Sequence, residues 1–271
     1  MRNPKITVLM PVYNAEAYIG QAIESVLSQT FSDFEFVIVN DGSKDRSADI
    51  VRLFADPRIR LIDNKENAGV IARLNEGLAL TEGEYIARID ADDVWADKEK
   101  LAKQAAFLDM NRDYGMIGTL GTAIGKSGEK LYPLDYPTAD AEIRKKALVK
   151  NCFINCSVMI RKSILGKSGG YDAAEKHAED YGLWLRIGSV SKFANLPERM
   201  VSYRVTPEGD SLSNNIRSIR NSILLAKKHR RNYPSYLQAM AKWNLKLAIL
   251  KLIGISKFTD IKKKIKAEKA S

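Results

Sequence analysis

Strand-length apolar runs alternate with amphipathic stretches through the first third of the chain. Ile6-Thr7-Val8-Leu9-Met10 reads as a central strand that stops at Pro11, because proline has no N–H to give a sheet ladder. Ala17, Ile19, Ala22, Ile23, Val26 and Leu27 recur at helical spacing. Phe34 to Asn40 reads as a second strand, Asp49 to Phe54 as a helix, and Ile59 to Ile62 as a third strand. Val70 to Leu80 reads as a helix ended near Gly83, and Glu84 to Ile89 as a fourth strand. This β-α-β-α-β-α-β order predicts an α/β fold: a Rossmann-like, mostly parallel sheet with right-handed crossovers and helices on both faces. In such a sheet the strand-end loops share one rim, so Pro11–Asn14, Asp41–Asp45 and Asp90–Asp93 converge although they are distant in sequence.

Beyond Asp93 the pattern is less regular. Asp97 to Asn111 is predicted helical, with Leu101, Ala105 and Leu108 on one face. Met116 to Ile124 is glycine-rich and reads as a strand near the sheet edge, and Lys130 to Thr138, with two prolines, as a loop. Ala141 to Lys150 reads as a short helix, Ser157 to Ile160 as a strand, Ala178 to Ile187 as a helix, and Phe193 to Arg204 as containing a strand. Val205 to Asn214 is polar and reads as a loop.

Hydrophobic residues make up 45% of the 271 and charged residues 28%, which places the chain among globular proteins able to bury a core. The net charge of +10 is unevenly spread. Residues 216–271 hold 15 of the 43 Lys and Arg but 2 of the 33 Asp and Glu, so that segment is +13 and residues 1–215 are −3. The composition therefore divides the chain into a body, 1–215, and a basic amphipathic helical tail, 216–271. A nucleic-acid enzyme would gather its positive charge around the cleft, so nucleic acid is not the expected partner. Leu237, Met240, Trp243, Leu247, Leu250 and Ile253 recur at helical spacing in the tail, and Lys262-Lys263-Lys264 and Lys266 follow. The tail is too short in apolar run to span a bilayer and is expected to lie in an anionic membrane interface; packing on the body is the competing reading. Cys152 and Cys156 sit among apolar neighbours and read as buried thiols in a reducing compartment. Met1-Arg2-Asn3-Pro4-Lys5 precedes an apolar run too short for a signal peptide.

The sharpest candidate chemistry is Arg88-Ile89-Asp90-Ala91-Asp92-Asp93, which places three carboxylates at the end of a buried run. Clustered carboxylates repel unless a cation lies among them, and Mg²⁺ or Mn²⁺ favours carboxylate, phosphate and water oxygens. A solvated acidic turn ahead of the next helix is the plainer reading of those residues. Asp41-Gly42 can likewise be an Asx-turn, or a carboxylate able to accept from a base N–H and ribose hydroxyls. Glu179-Asp180 can be ordinary helix-start acids or carry a general base.

Taken together and in order, Val8-Leu9-Met10-Pro11-Val12-Tyr13-Asn14, Val37 to Asp45, Asn67-Ala68-Gly69, Asp90-Ala91-Asp92-Asp93, Gly169-Gly170-Tyr171-Asp172 with Glu179 to Arg186, and Ser202-Tyr203-Arg204 resemble family 2 of the inverting glycosyltransferases. The resemblance covers about residues 5–205, and within the family it is closest in character to enzymes of bacterial cell-surface polysaccharides. It implies a GT-A fold and transfer of a sugar from a nucleotide-diphosphate sugar, a UDP-sugar foremost, to a hydroxyl of a glycan or lipid-linked acceptor. It implies Mn²⁺ or Mg²⁺ held by Asp92, with Asp180 as catalytic base. It also implies nucleotide-sugar contacts from Pro11, Tyr13, Asp41, Arg73, Asp90 and Ala91. Lipid-linked acceptors would place such an enzyme in the cytoplasm, peripherally on the inner face of the plasma membrane. Two departures from the family pattern stand out. Leu74 separates Arg73 from Asn75, turning Arg73 by about 100° around its helix relative to the usual Arg-Asn pair. Thr206 stands where many relatives carry a histidine that helps to bind metal.

Two other classes compete. A nucleotidyltransferase that makes sugar nucleotides would need a glycine-rich loop after the first strand, and Met10 to Asn14 has no glycine. A non-catalytic nucleotide-sugar binder would keep Asp41 and have no use for Asp180. A dehydrogenase or P-loop enzyme is not expected, because no G-x-G-x-x-G or G-x-x-x-x-G-K-[ST] follows any strand.

Overall fold

A computed structural model describes residues 3–205 and 212–250 of the protein. The expected alternation holds through the first half: β1 (Ile6–Val12), α1 (Ile19–Leu27), β2 (Phe34–Asp41), α2 (Ser47–Arg52), β3 (Ile59–Asn64), α3 (Val70–Leu80) and β4 (Tyr85–Arg88). β3, β2, β1 and β4 lie side by side and parallel, with Val8 opposite Phe36 on one side and Ala87 on the other. β1 does not stop at Pro11. It continues to Val12 against β2, while its pairing with β4 ends at Leu9, so Pro11 lies past the last rung on that side.

The second half adds β5 (Val94–Trp95), α4 (Lys100–Met110), β6 (Tyr114–Ile124), β7 (Lys130–Leu134), α5 (Asp140–Lys146), β8 (Met159–Arg161), α6 (Lys162–Ser168), α7 (Glu179–Val190) and β9 (Lys192–Arg204). The sheet runs β3-β2-β1-β4-β8-β6-β9-β5, with β7 paired to β6. β8 enters antiparallel between β4 and β6, so this side is mixed rather than parallel. β6 is not an edge strand: β8 and β9 both pair with it. Its glycines admit side chains from neighbouring elements, and a Cβ at Gly118 would stand 2.2 Å from Asn195 Oδ1. Residues 130–134, expected as loop, form β7; among the described strands it pairs with β6 alone, so Pro133 sits on an edge where its missing N–H is tolerated.

Strand alternation splits the core in two. Ile6, Val8, Met10, Phe36 and Ile38 face α1 and α4 through Ile19, Ile23, Leu101 and Leu108. Leu9, Val37, Val39 and Ile86 face the other way, into a cluster with Leu74 of α3, Leu165 of α6 and Leu183, Trp184 and Ile187 of α7. Fully burying each such side chain contributes about 1.5–3 kcal/mol.

α8 (Leu212–Lys228) and a helix over residues 236–250 complete the second layer. Of the apolar stripe expected in a membrane interface, Met240, Trp243, Leu247 and Leu250 pack on the body instead, while Leu237 is exposed and Ile253 lies outside the described residues. Trp243 Nε1 donates to Leu148 O at 2.9 Å, Tyr233 Oη to Leu185 O at 2.8 Å, and Ala239 and Leu250 are buried in the same cluster. Lys262 to Lys266 lie outside the described residues. No helix of the described residues is long and apolar enough to cross a membrane. Cys152 and Cys156 are both buried and free, as expected.

Candidate active site

The C-terminal ends of β1, β2 and β4 open onto one cleft of about 1050 Å³. Pro11, Tyr13, Asp41, Asp90, Ala91 and Asp92 line it together, joined by Asn67, Gly69, Lys126 and Lys176. Parallel strands produce this convergence, because their C-terminal loops must share a rim.

Asp41, the last residue of β2, is buried, and its carboxylate is fully used. Oδ1 accepts from Ala68 N at 2.7 Å and Arg73 Nε at 2.7 Å, and Oδ2 accepts from Gly69 N at 2.9 Å. Gly42 follows at φ 68°, and a Cβ there would stand 2.7 Å from the carbonyl carbon of Glu66. Glycine thus lets the β2 loop close against the turn ahead of α3. The β1 loop is tied to the same place: Asn14 N donates to Ser43 Oγ at 3.0 Å, and Lys44 N to Asn14 Oδ1 at 2.8 Å. Asn14 adopts the left-handed backbone, φ 49°, that asparagine tolerates better than most residues. Arg73, expected to touch nucleotide, does not line the cleft. It clamps Asp41 from behind, and it also holds Glu76 at 2.9 Å and Glu66 O at 2.6 Å. The one-residue displacement of this arginine along α3 accounts for that placement.

The acidic loop after β4 separates into three environments. Asp90 is held on both oxygens, by Arg88 Nη1 at 2.7 Å and Asn155 Nδ2 at 2.8 Å. Asp93 is buried and accepts from Arg204 N at 2.7 Å, so it pins β9 to this loop and does not cap α4. Asp92 faces the cleft, and no side chain donates to its carboxylate among the described residues. Burial, with Asp90 adding its charge, pushes the Asp92 carboxyl up to about 6, against the opposing pull of Arg204 and Arg88. Arg204 secures the loop from the far side. It donates to Asp92 O at 2.8 Å, Gly125 O and Lys126 O at 3.0 Å, and Gln21 Oε1 at 2.9 Å, and its guanidinium lies 4.5 Å from the Tyr18 ring centroid.

Asp180 sits in the first turn of α7 and does not line the cleft itself. Lys176, four residues earlier, does. Burial lifts the Asp180 carboxyl to about 7, Glu179 and Asp90 add to the rise, and Arg88 opposes it. Its Oδ1 is shielded from solvent and has no hydrogen-bond partner among the described residues. Arg88 is the physical link. It is 3% exposed, pairs with Asp90, and sits close enough to buried Tyr171 and to Asp180 to act on their charge. A burial this deep for an arginine requires paired carboxylates around it.

Sequence reasoning did not reach Asn155, Lys126 or Lys176. Lys126 lies in the glycine-flanked turn Gly125-Lys126-Ser127-Gly128, a signal of a hairpin tip although not of a site. Asn155 has no local signature; it reaches Asp90 only because β8 inserts beside β4.

Among the described residues no group of three or more His, Cys, Asp or Glu could hold a metal ion by itself. The donor set still fits a divalent cation shared with a ligand. Asp92 offers the cleft a carboxylate of raised pKa that no described side chain donates to, and Mg²⁺ or Mn²⁺ completes its shell with phosphate and water oxygens.

A mixed sheet whose rim carries Asp41 at the end of β2 and the Asp90-Ala91-Asp92 loop after β4 makes an α/β protein with an acidic ligand cleft. The comparisons with known proteins agree: the model of glycosyl transferase family 2 matches residues 7–169, and the chain belongs to that family. It is 33% identical over 239 residues to EpsE of Bacillus subtilis, covering 84% of this chain and 83% of that protein. It is 32% identical over 188 residues to the UDP-Glc:alpha-D-GlcNAc-diphosphoundecaprenol beta-1,3-glucosyltransferase WfgD of Escherichia coli, covering 67% of this chain and 69% of that one. The fold matches the mannosyltransferase PcManGT of Pyrobaculum calidifontis, solved with GDP-Man and Mn²⁺, at a TM-score of 0.66 and 18% identity over 98% of this chain and 81% of that one. The protein is a glycosyltransferase with the GT-A fold.

Proposed function

We propose that the chain transfers a sugar, with inversion, from a UDP-sugar to a hydroxyl of a glycan or lipid-linked acceptor, supported by Mn²⁺ or Mg²⁺. The observation that carries this reading is the state of Asp180: a carboxyl lifted to about 7, one oxygen shielded and unpartnered, electrostatically coupled to the aspartate that opens the D-x-D loop. Such a group is ready to accept a proton near neutral pH. Asp180 takes the acceptor hydroxyl's proton as that oxygen attacks the anomeric carbon. The new C–O bond forms as the bond to the diphosphate oxygen breaks, and nucleoside diphosphate leaves from the opposite face.

On the sugar-donor side, Tyr13, 51% exposed at the cleft wall, offers a ring for the base to stack on. Pro11 and Ala91 shape the floor. Asp41, oriented by Ala68, Gly69 and Arg73, faces base or ribose. Asp90, fixed by Arg88 and Asn155, reaches the ribose. Asp92 would hold the metal, which when bound offsets the charge of the departing diphosphate. Lys126 and Lys176 bring further positive charge to the same wall.

The named relative that uses a diphospholipid-linked acceptor and a UDP-sugar favours UDP and a lipid-linked acceptor here. On this reading the enzyme works in the cytoplasm on the inner membrane face. Contact with lipid then falls to outward residues such as Leu237 and Leu245, and not to the buried Trp243 and Leu250. Screening UDP-, GDP- and TDP-sugars for release of nucleoside diphosphate and for thermal stabilisation tests the reading. A UDP-sugar should give both with Mn²⁺; response to none of them overturns it.

A further inference from the structure

A second concavity, about 210 Å³, lies past Lys176 on the side away from the nucleotide loops. Lys176, His177, Arg217, Arg220 and Asn221 line it, and no carboxylate does among the described residues. Lys176 belongs to the walls of both this pocket and the main cleft. Arg217 and Arg220 stand one turn apart on α8, so their side chains project together. Both are exposed, and neither enters an ion pair among the described residues. Positive side chains gathered this way repel one another and gain from an anion between them.

Two details show that the pocket wall is built and not a chance gathering of surface charge. His177 holds a left-handed backbone, φ 69°, which costs energy for a residue other than glycine. Its Nε2 is shielded from solvent and has no hydrogen-bond partner among the described residues. Asn221 donates to Lys176 O at 2.6 Å, fixing α8 to the segment that leads into α7. The strained turn thus places the imidazole in the wall of a pocket whose other side chains are three cations and Asn221. Two guanidinium forks, an ammonium and an imidazole match the oxygens of a phosphate ester.

We propose that Lys176, His177, Arg217 and Arg220 form a phosphate subsite for the acceptor, next to the sugar-donor cleft and separate from it. The proposal rests on the transferase reading. The acceptor hydroxyl must approach Asp180, three residues after His177, so the part of the acceptor beyond its reacting sugar emerges beside this pocket. An acceptor whose sugar is esterified to a lipid phosphate or diphosphate places its negative charge there. The nucleotide's own diphosphate belongs to Asp92 across the Lys176 wall.

The test is calorimetric titration of the full-length protein, in EDTA, with geranyl phosphate, geraniol and inorganic phosphate, repeated on Arg217→Ala/Arg220→Ala. Both arginines are exposed on a helix, so alanine preserves the fold. Geranyl phosphate should bind more tightly than geraniol or inorganic phosphate, and the variant should lose at least about tenfold of that affinity. UDP binding with Mn²⁺ should be unchanged in the variant. Binding that follows geraniol would assign an apolar contact instead. Inorganic phosphate binding as tightly as the ester would assign a free-phosphate site, and loss of UDP affinity would return the pocket to the nucleotide; each of these overturns the proposal. Because binding is read without turnover, a protein that transfers no sugar but loses geranyl phosphate in the variant keeps the anion site and loses the transferase reading alone.

Discussion

The two sides of the cleft treat their carboxylates differently. On the nucleotide side, Asp41 and Asp90 have both oxygens occupied by donors from the protein. On the reaction side, Asp92 has no side-chain donor and Asp180 has one oxygen shielded and unpartnered. The first pair is finished before any ligand arrives, so it serves orientation. The second pair is left electrostatically unsatisfied, and the carboxyls of Asp92 and Asp180 rise to about 6 and about 7. Unfavourable charge is kept where an incoming cation or proton can relieve it.

The largest effect that could break this contrast is at Asp180. Asp180→Asn should lower the transfer rate by about 10²- to 10⁴-fold while UDP affinity stays within about twofold, read by steady-state kinetics and calorimetry. The same variant should gain thermal stability at pH 8. The folded carboxyl, lifted to about 7, keeps a proton that the unfolded chain releases near 4, so wild-type stability falls as pH rises between those values. The variant lacks that loss, and its advantage in Tm should vanish below about pH 4. A variant that is inactive and also less stable at pH 8 would mark Asp180 as structural.

Next is Asp92→Ala, which should remove the Mn²⁺ enhancement of UDP binding, a loss of about 10- to 100-fold. Equal UDP affinity in Mn²⁺ and in EDTA for the wild type would sink the metal assignment. A pH series sharpens the same point. Metal-supported UDP affinity should fall by up to about tenfold per unit below about pH 6, where the Asp92 carboxyl takes up its proton. Transfer should fall as pH drops through about 7, where Asp180 does. The smallest effect is expected at Arg73→Ala. Asp41 keeps its two backbone donors, so UDP affinity should weaken about 5- to 10-fold, and stability should fall by about 2–3 kcal/mol from the buried pair lost.

The strand-end loops were the legible part. Each of their strands is a short apolar run, each loop carries its own signature, and parallel topology forces those loops onto one rim. Asp41, Asp90 and Asp92 could therefore be brought together from the sequence. The residues that hold these loops in place depend on contacts between distant segments. Nothing local to Asn155 shows that it reaches Asp90, because that depends on β8 inserting antiparallel beside β4. Nothing local to Arg204 shows that it clasps Asp92 and the Lys126 turn, because those residues meet only when β9 pairs with β6. The glycines of β6 read as an edge feature; they instead admit side chains into the sheet interior. Arg73 was identified as a site residue, but its place behind Asp41 follows from helical phase, and the motif spacing already carried that displacement.

The burial of Trp243 and Tyr233 has a consequence for how the chain can be divided. Tyr233 donates to Leu185 O, on the helix whose first turn carries Asp180, and Trp243 to Leu148 O. The composition break near residue 215 is therefore not a seam in the packing. A chain cut there would uncover the back of α7 and expose apolar side chains that the last two helices now roof. Such a shortened protein should aggregate or melt early, and its silence in an assay would say nothing about which acceptor the enzyme prefers.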